Sequence, residues 1–181
     1  MDKQQKRKRK QYLSDFRPAV NGEYVYTGDH FRPDMEGERF AVLRRSILIM
    51  LFLSAAFVFT AGLLPAAGST NCFYVILPFL AVIICCFIKT LKTVRLFASG
   101  LTVREYVYEK TVPAIPRWLL AEGISAAATL AAEAVYLIVN GFDGRETYTA
   151  AFICLITALI SADLIMLKFF REITWCKKST K

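Results

Sequence analysis

The chain has 181 residues, 55% of them hydrophobic, a mean hydropathy of +0.40 and a formal net charge of +8. A single domain this apolar is excluded from ordinary soluble folds and enters the membrane class. The positive charge does not signal nucleic acid, because 22 of the 23 Lys and Arg fall in three segments that alternate with apolar runs.

Residues 1–45 form a basic, aromatic-rich segment ahead of the first apolar run. Its start, Lys3, Lys6, Arg7, Lys8, Arg9 and Lys10, has no apolar periodicity and is read as a solvated tail that fixes orientation. The same run can dock on anionic lipid headgroups, at about 1 kcal/mol per basic residue near the surface. Beyond it, Tyr12, Phe16, Tyr24, Tyr26, Phe31 and Phe40 alternate with charges, glycines and prolines, which predicts an ordered, irregular layer against the cytoplasmic membrane surface. Asn21 and Gly22 signal a turn, residues 23–27 a short strand, and Gly28, Asp29 and His30 a second turn.

Four stretches reach the roughly 20 apolar residues that a bilayer core of about 30 Å demands. They are residues 46–64, 72–88, 117–140 and 147–169. The first is uncharged and ends at Pro65, and the second contains Pro78. The first apolar run begins too late for a cleavable signal peptide, so it is expected to be retained. Between the second and third stretches, residues 89–116 form a basic loop in which Lys92 to Phe97 extend the second helix until Gly100 caps it. Residues 102–108, rich in β-branched and aromatic side chains, predict another strand, and Pro116 suits the start of the third helix. Residues 170–181 form a basic tail.

The two predicted strands share the tetrapeptide Glu-Tyr-Val-Tyr, at 23–26 and 105–108, each ahead of a helical pair. A parallel duplication explains this; the more economical reading is similar strand chemistry, with the two strands pairing beneath the membrane. Lys and Arg number 22 in the segments assigned to one side and one, Arg145, on the other. The positive-inside rule then gives both termini in the cytoplasm. The expected fold class is an all-α membrane protein of four transmembrane helices. Neither outer loop carries an Asn-x-Ser/Thr acceptor, which suits a bacterial plasma membrane.

Ionisable groups inside a span cost several kcal/mol unless paired or hydrated, so Glu122, Glu133 and Asp163 are the candidate site. Eleven residues separate the two glutamates, which places them within about 20° of one another and roughly 16 Å apart along a helix. Ser125 and Thr129 are placed with them on the same stripe, the set a proton or cation pathway would use. Against this stands a structural role, in which the acids hydrogen-bond neighbours or a snorkelling lysine and fix helix register. Counted from Arg117 and Phe169, Glu122 and Asp163 lie at one level, within reach of Lys89 or Lys168. Gly123, Ala126, Ala127, Ala128, Ala131, Ala132 and Ala134 make the third helix small enough to sit in the middle of a bundle.

Signatures of hydrolases, metalloproteases and phosphate-binding loops are missing from the sequence. The five cysteines follow no disulfide or metal spacing, vicinal Cys85 and Cys86 read as packing residues, and His30 reads as a surface residue. No cofactor is expected. The functional expectation is a non-enzymatic membrane protein acting by assembly, as a homo-oligomer or an accessory subunit. A compact transporter or channel is the alternative, and an intramembrane enzyme a distant third.

Overall fold

The computed structural model describes residues 16–18, 24–26, 29–98, 100 and 102–178. The basic run Lys3 to Lys10 and the turn at Asn21 and Gly22 lie outside them. Two short strands, β1 (Phe16–Pro18) and β2 (Tyr24–Tyr26), pair antiparallel with Val25 opposite Arg17. His30 does not sit in a turn but opens β3 (His30–Pro33).

Helix α1 spans Gly37–Leu63, and a short α2 (Ala67–Asn71) leads into α3 (Phe73–Ala98). Next come β4 (Val103–Arg104), α4 (Glu105–Thr111), α5 (Ala114–Asn140), α6 (Glu146–Glu172) and β5 (Trp175–Lys178). Helix α1 begins well before residue 46 because Phe40, Leu43 and Ile47 continue its buried stripe. Helix α3 runs on past residue 88 in the same way through Lys89, Thr93 and Leu96, ending near Gly100 at a φ of +79°. Pro116 falls in the first turn of α5, where a missing N–H costs nothing.

The strand predicted over 102–108 is largely a helix. Only Val103 and Arg104 are extended, and the second Glu-Tyr-Val-Tyr opens α4. Its β-branched and aromatic composition gives way to burial: Val103, Val107 and Thr111 recur every four residues and all face the core. Glu105 in its first turn and Lys110 in its last also suit the helix dipole. The predicted pairing of the two tetrapeptides is therefore wrong, since β2 pairs with β1 and β4 with β3.

Strand β3 is the centre of a three-stranded antiparallel sheet in the order β4-β3-β5. This sheet joins the segments before α1, between α3 and α5, and after α6, so all three lie at one end of the molecule. It is packed onto the helices through aromatic contacts: Phe31 stacks on Tyr108 at 4.0 Å, and Trp175 meets Phe40 and Tyr108 edge-on.

The four long helices form a ring in which α1 packs on α6, α6 on α5 and α5 on α3, with a lighter contact closing α3 to α1. No helix is central, which corrects the expected place of α5. Ala126 is buried, but Ala127, Ala128, Ala131 and Ala134 are exposed, and a side chain added at Gly123 would meet nothing. Each of the four helices is long and apolar enough to cross a membrane. Large side chains such as Phe52, Phe59, Phe73, Phe87, Ile124, Ile138 and Leu164 point outward, a surface that water would penalise and hydrocarbon would not.

Candidate functional site

Each long helix buries one stripe of side chains at a three- or four-residue spacing, mostly apolar, and the four stripes bring polar side chains together at one shared level. There α1 contributes Ser54, α3 Lys89, α5 Glu122 and α6 Asp163. Lys89, Glu122 and Asp163 lie eight or nine residues from the sheet-side ends of their helices. At 1.5 Å per residue this is roughly 12–14 Å in from those ends.

The Nζ of Lys89 lies 2.7 Å from Glu122 Oε2 and 2.7 Å from Asp163 Oδ1. It donates a hydrogen bond to Asp163, whereas its approach to Glu122 has ion-pair distance without hydrogen-bond geometry. Ser54 Oγ donates a longer bond of 3.5 Å to the same Asp163 oxygen, so side chains from all four helices meet here. Lys89 and Glu122 have fully buried side chains and that of Asp163 is 4% exposed. Both oxygens of Glu122 and Oδ2 of Asp163 receive no hydrogen bond. One ammonium thus faces two carboxyl groups in a buried interior, where an unpaired charge costs several kcal/mol.

Of the two lysines that the sequence places within reach of the acids, Lys89 is the one that enters; although it opens the basic loop in the sequence, it continues the buried series Phe79, Val82, Cys86 at helical spacing. Ser54, a single hydroxyl in an uncharged apolar run, carries no sequence signal for the site. Lys168, the other lysine considered, is exposed and does not enter.

Glu133 is elsewhere. It faces the opposite end of the ring, where its Oε1 accepts the backbone N–H of Gly68 at 3.0 Å, while Thr149 Oγ1 accepts that of Ala67 at 3.1 Å. These two side chains satisfy the first turn of α2 and seat it on α5 and α6. Gly68 leaves room for that carboxyl, since a Cβ there would push Glu133 Oε2 aside. A surface network continues outward: Tyr136 donates to Asp143 at 2.7 Å, Asn71 donates to Tyr136 at 3.2 Å, and Arg145 bonds Thr70.

Ser125 and Thr129 join neither group. Thr129 is buried, but its hydroxyl donates to the Ser125 carbonyl one turn back at 2.9 Å, and Ser125 is half-buried. Between the two polar levels lies an apolar layer that includes Val58, Phe79, Val82, Ala126, Phe152 and Ile156. Among the described residues, no group of three or more His, Cys, Asp or Glu side chains is placed to hold a metal ion. His30, in the sheet opposite Arg104 and Lys178, is remote from the buried cluster. No family model, curated protein or solved structure matches the chain.

Proposed function

We propose that this chain is a multi-pass membrane protein that acts by assembly, as a homo-oligomer or as an accessory subunit of a larger complex, and not by catalysis. The observation that carries this reading is the outward face of α5. Leu120, Ile124, Ala127, Ala128, Ala131, Ala134, Val135 and Ile138 fall within one arc of that helix and are all exposed. A helix whose exposed centre is alanine lets another helix approach its backbone closely, which is how helices associate in lipid. Inside the ring, by contrast, the ionisable side chains contact one another or the α2 backbone.

A second reading, a compact proton or cation transporter, draws support from the two carboxyl groups that share one lysine. The apolar layer between that cluster and Glu133 weighs against a continuous polar route. The positive-inside balance supports placing both termini in the cytoplasm, and the outer loops without an Asn-x-Ser/Thr acceptor suit a bacterial plasma membrane. Anionic lipids are the partners suited to Lys3, Lys6, Arg7, Lys8, Arg9 and Lys10.

Purification in mild detergent, with mass measurement and co-purification from native membranes, tests the assembly reading. The expected result is a homo-oligomer or a stoichiometric partner that Ala131→Phe removes without unfolding the chain. A monomer without partners, unaffected by Ala131→Phe, contradicts it.

A further inference from the structure

We propose that Glu122 binds one proton at neutral pH, so that the buried cluster is a neutral carboxylic acid beside a Lys89–Asp163 ion pair. The proposal stands independently of the assembly reading, since it concerns the ring's interior and not its outer face. Charge counting comes first. With all three groups ionised the cluster carries one net negative charge, and a buried helical interior strongly disfavours an uncompensated charge.

A second cation would also neutralise it, but none among the described residues enters. Lys92 donates to the Lys110 carbonyl at 3.2 Å, and Arg117 and Lys168 are exposed. The other groups facing the cluster carry no charge: the Ser54 hydroxyl from α1, and the Cys85 and Cys86 thiols from α3. A proton is the cation that remains.

The geometry also says which acid takes it. Asp163 accepts a hydrogen bond from Lys89 at 2.7 Å and another from Ser54, both of which favour its ionised form. Glu122 is completely buried and no donor is well directed at either of its oxygens, Nζ approaching Oε2 at 2.7 Å without hydrogen-bond geometry. A protonated Glu122 removes the second negative charge facing Nζ and leaves Lys89 to pair with Asp163 alone. The ligand of this site is thus a proton, held on α5 and read by residues of α1, α3 and α6.

Infrared spectroscopy of the full chain in lipid nanodiscs tests the assignment, because a protonated carboxyl has a carbonyl band that a carboxylate lacks. The expected parent-minus-Glu122→Gln difference spectrum at neutral pH shows one such band lost. Glu133→Gln serves as the control for the other buried glutamate and should leave that band in place. Glu122→Gln, a neutral replacement for the resting acid, should melt with the parent or above it, while Asp163→Asn melts below both. The parent's stability should fall as pH rises from the range in which an unfolded glutamate ionises to the pH at which native Glu122 releases its proton, because over that window the native state holds one proton more than the unfolded chain. That loss should vanish in Glu122→Gln. A parent with no protonated carboxyl band overturns the proposal before any variant is made. So does a Glu122→Gln protein that fails to fold or that melts as low as Asp163→Asn.

Discussion

Lys89 is fully buried, and it survives there because its ammonium lies 2.7 Å from each of two acids. Removing one side of such a pair strands the other, at a typical cost of about 3–5 kcal/mol, whereas replacing the whole group with apolar side chains is often neutral or stabilising. Lys89→Met should therefore lower stability by about 3–5 kcal/mol at neutral pH, measured by denaturation in mixed micelles. The loss should shrink as pH falls, because Asp163 can then take a proton in place of its lost cation. Adding Glu122→Leu and Asp163→Leu to Lys89→Met should restore most of it. A Lys89→Met protein as stable as the parent at every pH would show that the lysine does not hold the cluster together. The shared level of Glu122 and Asp163 is visible in the sequence from rise per residue alone. The lysine between them is harder to see, because a charge at the end of an apolar run reads as a span boundary until the facing helices are known.

At the scale of elements, the four long helices were legible because hydropathy is a local property that a bilayer selects directly. The short segments were not. Residues 105–108 carry the same four side chains as 23–26, yet one set is helical and the other is extended at 24–26. Strand preference in Tyr and Val reflects fit to a half-buried pleated surface, and α4 lies on a core that wants Val103, Val107 and Thr111 on one side. The sheet that does form joins stretches 140 or more residues apart, with Phe31 opposite Lys177 and Arg32 opposite Cys176. No local signal encodes such pairing. It is directly testable, because antiparallel partners have the spacing a disulfide needs. Arg32→Cys should form an intrachain bridge to Cys176 under mild oxidant, found by peptide mapping and lost with Cys176→Ser. A bridge to another cysteine, or none, would mean that β3 and β5 are not neighbours.

The same sheet contains an exposed ion pair, Lys177 Nζ to Asp29 Oδ2 at 2.6 Å, and the Asp29 carboxylate holds the Lys177 ammonium above its ordinary pKa. A raised lysine contributes below its unfolded pKa and loses that contribution as pH climbs through the folded one. The pair is open to water, so its contribution is small and screened by salt, and it is lost only in alkaline solution.

Seen as a whole molecule, the ring has two polar levels, separated by an apolar layer and wrapped in an apolar exterior. At the sheet side, Lys89, Glu122, Asp163 and Ser54 tie the four long helices; at the other, Glu133 and Thr149 seat α2. Such an interior is suited to holding a fixed shape, while the alanine face of α5 is suited to meeting another helix. Expecting α5 at the centre of a bundle was reasonable from its small residues, but small residues serve any close helix contact, within a chain or between chains. The central claim is that the buried charges hold the ring and open no route across it. The most direct test is ion flux in sealed vesicles reconstituted with the purified chain, under an imposed proton or sodium gradient. The parent and Glu122→Gln should both leak no faster than empty vesicles; a flux carried by the parent and abolished by Glu122→Gln would contradict the account.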